Sequence, residues 1–282
     1  EPIADSNCVG CGQCAAVCPT GAIVIKNDSL RLWDEFDKED VKVVAQIAPA
    51  VRVAVAKSFG LNEGNVMGKI VASLKRIGFD EVFDTATGAD LTVLEEANEF
   101  LDRIAENKNI PLFTSCCPAW VNYCEKNYPE LLPNVSTCRS PMEMSGSVIK
   151  EQYKTSRKKI ISVAIMPCTA KKFEAAREEF RREDGSPVID YVITTKELIQ
   201  MIKEAGIVFS EIEPESIDMP FGSISGAGVI FGVTGGVTEA VIRRVETDKS
   251  VNALRNLAFK GVRGLEGVKE TTIDYGGTEL KI

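Results

Sequence analysis

The sequence predicts an α/β fold organised on open, mainly parallel sheets flanked by helices. From residue 41 onward, short runs rich in β-branched residues alternate with segments of helical periodicity. Two of those runs stop at cysteines that open helices, and the carboxyl ends of parallel strands are where such sheets hold ligands. A cysteine-dense block over residues 1–30 is compositionally separate and predicts a small α+β domain of its own.

In that block, Cys8-Val9-Gly10-Cys11-Gly12-Gln13-Cys14-Ala15-Ala16-Val17-Cys18-Pro19 has the C-x2-C-x2-C-x3-C-P spacing of bacterial-type [4Fe–4S] ferredoxins. Closely spaced thiolates on a tight loop clasp a cubane while backbone N–H groups face its sulfurs. Zinc is the plain alternative, and the cysteine–proline ending speaks against it. Thr20-Gly21-Ala22-Ile23 reads as a turn into a strand. In two-cluster ferredoxins the first three cysteines serve one cluster and the fourth serves the other. Cys8, Cys11, Cys14 and Cys18 are therefore expected as iron ligands in a partial ferredoxin-like domain, residues 1–30, that the sequence enters midway. A single cluster on all four is the alternative.

Residues 28–40, rich in Asp, Glu and Lys, read as a polar connection into a larger body at 31–282. Val41 to Ile47 reads as a mostly buried strand ending at Ala48-Pro49. Residues 68–77 have helical periodicity and residues 81–83 form a short strand. Leu91 to Lys108 reads as a long amphipathic helix with Leu91, Leu94, Ala97, Leu101 and Ile104 on its apolar face. Ile110 to Phe113 reads as a buried strand, Pro141 to Lys154 as a helix and Ile161 to Ile165 as a strand. Tyr191 to Thr194 and Lys196 to Ala205 read as strand then helix.

The first cysteine turn is Thr114-Ser115-Cys116-Cys117-Pro118-Ala119-Trp120. Pro118 suits the first position of a helix, where a missing N–H costs nothing. Thiols there meet unpaired N–H groups and the positive end of the dipole, which favours thiolate. Adjacent residues face different ways, so one thiol could hold a metal while the other stays free; a buried structural pair is the plain alternative. The second turn is Met166-Pro167-Cys168-Thr169-Ala170-Lys171-Lys172-Phe173-Glu174, with Thr169 as the expected N-cap. Two lysines oppose the dipole, so an anionic group is expected nearby; a solvated surface position is the plain alternative for Lys172, and less so for Lys171. Cys124 and Cys138 lie outside the motifs and are expected to be buried structural thiols.

The chain has 282 residues, 44% hydrophobic and 26% charged, enough for a core or two. No apolar run approaches the roughly eighteen residues that cross a bilayer. A net charge of −8 and a pI near 5.0 argue against a nucleic-acid partner. There are no histidines, which removes Ser-His-Asp and Cys-His catalysis and histidine-ligated zinc. Nine cysteines is an odd count, and their ordered motifs suit metal ligation rather than a disulfide framework. No signal peptide is visible; the expected compartment is cytoplasmic, with a periplasmic one left open.

The two cysteine turns resemble the first two active-site motifs of the iron-only, or [FeFe], hydrogenases, T-S-C-C-P-x-W and M-P-C-x-x-K-x-x-E. Ile47-Ala48-Pro49-Ala50-Val51-Arg52, Phe83-Asp84-Thr85, Gly88-Ala89-Asp90-Leu91-Thr92, Ser140-Pro141 and Ile230-Phe231-Gly232-Val233-Thr234-Gly235-Gly236-Val237 resemble that family too. The resemblance implies two α/β lobes around an H-cluster, a [4Fe–4S] cubane joined to a two-iron unit with carbon monoxide, cyanide and a bridging dithiolate. It implies that Cys117 and Cys168 are cubane ligands and that Cys116 exchanges a proton with the dithiolate. Glu96, Ser136 and Glu99 match the proton path, with both glutamates on one helix face. Lys171 matches the lysine that bonds a cyanide, and Ala48, Pro49, Met166, Pro141, Phe231 and Gly232 match the enclosing pocket.

The family's third motif, M-A-C-x-x-G-C-x-x-G-G-G-Q-P, lies beyond Ile282, so cropping at both ends is expected, with completion by another chain as an alternative. The implied activity is reversible interconversion of H2 with protons and electrons, relayed through [4Fe–4S] clusters to ferredoxin or a similar carrier. Cluster maturation proteins and other hydrogenase subunits are the further implied partners. A non-catalytic iron–sulfur assembly relative, an H2-sensing hydrogenase and a subunit that only transfers electrons are the rivals.

Overall fold

The computed structural model describes residues 3, 6–61, 65–222, 224–232, 235–246, 260–261, 267–275 and 277–282. The chain begins with α1 (Gln13–Val17), α2 (Ser29–Phe36), β1 (Val41–Ile47), α3 (Val51–Ser58) and α4 (Val66–Ile77). It continues through β2 (Glu81–Asp84), α5 (Ala86–Glu106), α6 (Pro118–Asn127) and α7 (Pro141–Gln152). Then come β3 (Lys159–Met166), α8 (Ala170–Ala175), β4 (Tyr191–Thr194) and α9 (Thr195–Glu204). After α10 (Gly226–Ile230) and α11 (Gly236–Val245), the short strands β5 (Lys260–Gly261) and β6 (Lys269–Glu270) pair antiparallel, as do β7 (Thr272–Tyr275) and β8 (Thr278–Lys281).

β1 and β3 are inner strands of a four-stranded sheet ordered β2-β1-β3-β4, parallel throughout. Their near-continuous apolar sequences follow from burial on both faces. Val43, Ala45 and Ile47 share a core with Leu32, Val55, Leu74 and Leu198 from α2, α3, α4 and α9. Val44, pointing the opposite way, packs with Phe83 and with Ile149 of α7. α5 lies on α7, and α10 and α11 lie on α5. Among the described residues no helix is long and apolar enough to cross a membrane. The α/β class and parallel sheet are as expected.

Several elements differ from expectation. The polar stretch 28–40 contains α2, whose Leu32 is buried and whose Trp33 and Phe36 pack on the core. Thr20 to Ile23 leads into no strand. Ile110 to Phe113 is not a strand either. Ile110 is 44% exposed, Pro111 offers no N–H to a ladder, and only an isolated bridge joins Phe113 to Val135. α5 begins at Ala86, and it buries Gly88, Ala89, Thr92, Val93, Glu96 and Ala97 while Leu94 is exposed. Its inward face is thus rotated from the expected one. For Lys172 the plain alternative of a solvated lysine fails and the expected anions are carboxylates: its ammonium pairs with Asp28 at 2.8 Å and Glu197 at 3.0 Å and donates to Val192 O.

Candidate active site

β1 leads to β2 on one side of it and, through α5 to α7, to β3 on the other, so the sheet's topological switch point lies at the carboxyl ends of β1 and β3. Ala48 and Pro49 follow β1, Met166 ends β3, and Ala48 N donates to Ile165 O at 3.0 Å. Gln46 pins two neighbours to this edge. Its Nε2 donates to Met142 O at 3.0 Å, next to Pro141 at the start of α7, and its Oε1 accepts from Thr85 Oγ1 at 3.0 Å. A Cβ on Gly232 would stand 3.7 Å from Pro49 Cβ, so the Phe231-Gly232 end of α10 also reaches the crevice. Val233 and Thr234 of the same motif lie outside the described residues.

Cys117 is the N-cap of α6 and Pro118 its first residue, as expected. Thr169 holds the N-cap position of α8, but its hydroxyl donates to Gly10 O at 2.7 Å instead of capping the helix. Lys171 Nζ donates to Cys116 O at 2.9 Å and to Glu174 Oε2 at 2.7 Å, which binds the two cysteine turns together. The buried Glu174 is thus one anion for Lys171, and one ammonium N–H has no partner among the described residues. Burial pushes the Cys116 thiol up to about 11, only partly relieved by Lys171 and reinforced by Glu96. The expected thiolate at this position is corrected: desolvation outweighs the helix end. Cys124 is fully buried, whereas Cys138 is half-buried with its thiol pushed to about 12 by burial and by Glu96 and Glu99.

Glu96 is 1% exposed, and its Oε2 meets no hydrogen-bond partner among the described residues. Burial raises its carboxyl to about 7, against the Ser136 hydroxyl and the Ser115 N–H, which favour the charged form; Glu99 adds to the rise. Ser136 Oγ donates to Glu99 Oε2 at 2.6 Å, so this hydroxyl stands between the two acids. Glu99 also accepts from Thr137 N at 3.1 Å and pairs with Arg103 at 2.5 Å. Together these hold its carboxyl below the usual range despite partial burial.

The thiols of Cys8, Cys11, Cys14 and Cys18 are free and mostly exposed, and among the described residues no three metal-binding side chains converge. Their loop is nevertheless docked beside the site. Lys126 Nζ donates to Ser6 O at 2.7 Å and Cys8 O at 2.8 Å, and Asn122 Nδ2 to Cys8 O at 3.4 Å, all from α6. Gly12 adopts φ +77°, and a Cβ there would stand 2.6 Å from Thr169 Oγ1. The Thr20 hydroxyl and the N–H groups of Ile23, Thr20 and Ala22 draw the Cys18 thiol down to about 6. Soft thiolate donors supported by N–H groups fit an iron–sulfur cluster. The crevice fits a further group with an anionic portion, because Lys171 keeps an N–H to give.

Sequence reasoning missed Arg103, Gln46, Lys126 and Glu143. Arg103 was within reach, since it follows Glu99 by four residues on one helix. Glu143, fully buried with neither carboxyl oxygen bonded among the described residues, left no signal in sequence.

Residues 41–282 match the family described as iron only hydrogenase large subunit, C-terminal domain, and residues 2–24 match a 4Fe-4S binding domain. The NADP-reducing hydrogenase subunit HndD of Solidesulfovibrio fructosivorans is 43% identical over 99% of this chain, which spans 50% of that relative's length. The cytosolic iron-sulfur assembly component 3 of Mus musculus is 30% identical over 98% of this chain and 62% of its own. The solved structure of apo [FeFe]-hydrogenase HydA1 from Chlamydomonas reinhardtii, variant C377H, superposes with a TM-score of 0.75 at 39% identity. That match covers 88% of this chain and 65% of the other. [4Fe–4S] clusters and the H-cluster are the cofactors that these domains carry. With its parallel sheet, its two cysteine turns joined through Lys171 and a family match over most of its length, the chain belongs to the iron-only hydrogenase large-subunit family.

Proposed function

We propose that this chain is the catalytic body of an [FeFe]-hydrogenase that interconverts H2 with protons and electrons. The carrying observation is the Ser136 hydroxyl set between a buried Glu96, whose carboxyl is raised to about 7, and an ionised Glu99. When bound, the H-cluster supplies the electron chemistry on H2. The protein's own part is to hold and move protons. Cys116, with its thiol at about 11, keeps its proton at neutral pH and releases it only against a local acceptor. Glu96, at about 7, is poised to take or give that proton. A hydroxyl has one donor and two acceptor positions, so Ser136 can accept from Glu96 while it donates to Glu99. Glu99, half-buried and held by Arg103, is the outward end.

The cysteine loop on α6 and α8 supports electron entry from that side, with a ferredoxin-type protein as carrier and Cys8, Cys11, Cys14 and Cys18 as iron ligands. Cys117 and Cys168 would hold the cubane, and Lys171 would bond a cyanide. Ala48, Pro49, Met166, Pro141, Phe231 and Gly232 would enclose the two-iron unit. Cys116→Ala in the full-length, cofactor-loaded protein should lower H2 turnover by about 100-fold or more. The carbon monoxide and cyanide infrared bands should stay in place. An undiminished rate would remove Cys116 from the relay. The likeness to an iron–sulfur assembly component supports a second reading, in which the protein handles clusters without H2 turnover. Full-length protein carried through cofactor loading that gains neither turnover nor those bands would favour it.

A further inference from the structure

α6 and α8 start at the two cysteine turns and pack on each other. Near those starts, Lys171 ties α8 to Cys116 O at 2.9 Å. A second tie lies at the far end of both helices. Arg177 Nη1 donates to Glu125 Oε2 at 3.0 Å and Nη2 donates to Glu125 Oε1, a fork between two planar groups. Glu125 is the eighth residue of α6. Arg177 is in turn fixed to the end of α8. Its N–H donates to Glu174 O at 3.0 Å, its guanidinium carbon stands 5.5 Å from the centre of the Phe173 ring, and its Nε donates to Glu179. One tie would leave two helices free to pivot about it. Two ties spaced roughly 12 Å along the helix axis fix their angle as well as their separation.

The angle between these helices governs two thiols. Cys117 is the N-cap of α6, and Cys168 stands directly before Thr169, the N-cap position of α8. The cysteine loop spans the same pair of helices, with Cys8 O bonded by Asn122 and Lys126 of α6 and Gly10 O bonded by Thr169. We propose that Arg177, through its fork with Glu125, is a positioning residue that sets the separation at which Cys117 and Cys168 meet one [4Fe–4S] cubane. A cubane takes its thiolates at fixed separations, so pivoting of the two helices would loosen its seat. With the fork in place the helices are ordered before the cluster arrives, and that ordering does not weaken cluster binding. The inference rests on the hydrogenase reading, in which these two thiols share the cubane.

Full-length protein loaded with its [4Fe–4S] clusters tests this by electron paramagnetic resonance of the reduced clusters. The cubane is the signal that Cys117→Ala alters. Arg177→Met keeps an apolar stem and removes the fork. Its cubane signal should shift, and under an iron chelator that signal should decay about 10-fold faster than in the wild type, the low end of what supporting contacts contribute to metal sites. Glu125→Arg combined with Arg177→Glu rebuilds the pair with its charges exchanged and should recover most of the lost lifetime. Arg177→Lys retains the charge without the fork and should fall between wild type and Met; it replaces the Met variant if that one does not fold. A cubane whose signal and decay stay as in the wild type overturns the proposal, even where the cofactor-free variant melts at lower temperature, because the fork would then support the fold alone. An exchanged pair that recovers nothing overturns it too. Wild-type protein that takes up clusters yet shows no signal dependent on Cys117 overturns the hydrogenase reading itself, and this inference falls with it.

Discussion

Glu96 and Glu99 sit one helical turn apart on α5, and their carboxyls are shifted in opposite directions. The difference is environment, not residue type: Glu96 has lost water with little in exchange, while Glu99 has gained a hydroxyl, an N–H and a guanidinium. A relay needs such a gradient, because two equally acidic groups would give a proton no direction. The same burial has a stability signature. Glu96's carboxyl is raised from 4.5 to about 7, so across that interval the folded protein keeps a proton that the unfolded chain has released. Stability therefore falls as pH rises between those values, by on the order of 3 kcal/mol in total. Glu96→Gln removes this slope. Thermal melts of cofactor-free wild type and variant should coincide near the acid limit, then separate towards neutral pH with the variant more stable. Melting curves that stay parallel across the interval would show that Glu96 is not held protonated.

At the scale of elements, the site depends on how closely α5 approaches α7. Gly88 makes that approach possible, since a Cβ there would stand 2.2 Å from Pro141 O and 2.3 Å from Ser145 Oγ. Gly88→Ala should force the helices apart and lower stability by about 1–3 kcal/mol. A chemical-denaturation midpoint that drops with an unchanged slope would agree; an unmoved midpoint would mean that the contact relaxes freely. The same contact explains what the sequence concealed. Periodicity weights large apolar residues, and it assigned Leu94 inward, whereas the packed face of α5 is built from Gly88, Ala89 and Thr92. Residues 28–40 read as polar because the charges around Leu32, Trp33 and Phe36 outnumber them. The cysteine turns, β1, β3 and β4 were legible, because ligand chemistry fixes spacing along the chain and double-sided burial demands apolar runs. Gln46 and Lys126 were not legible, since their partners are distant in sequence and became neighbours only through folding; Glu143 was not, since only folding buries it.

At the scale of the whole molecule, one lysine joins the cysteine loop to α6 and another joins its exit segment to the sheet, and they differ in kind. Lys126 is an exposed tether whose ammonium, among the described residues, bonds only backbone carbonyls of the loop, so its loss should cost little stability. Lys172 is a hub with its side chain 11% exposed, joining Asp28 before α2, Val192 within β4 and Glu197 at the start of α9. Asp28 N also donates to Glu197 Oε1 at 2.9 Å, so the carboxylate that closes the α9 capping box serves the exit segment as well. Removing the lysine leaves Glu197 without its cation and Asp28 with only the exposed Lys26 at 3.7 Å, and breaking such nearly buried pairs from one side costs about 3–5 kcal/mol. The carboxylates should then draw water and separate, which frees the chain ahead of α2 from the sheet. Lys172→Ala is accordingly expected to unfold at markedly lower denaturant and to be cleaved first in residues 18–28 under limited proteolysis. Lys126→Ala should keep the wild-type midpoint. If Lys172→Ala were as stable and as protease-resistant as Lys126→Ala, the ion cluster would not be what fixes the cysteine loop's exit segment to the sheet. The shared packing of α2, β1 and α9 around Leu32 would then carry that junction alone.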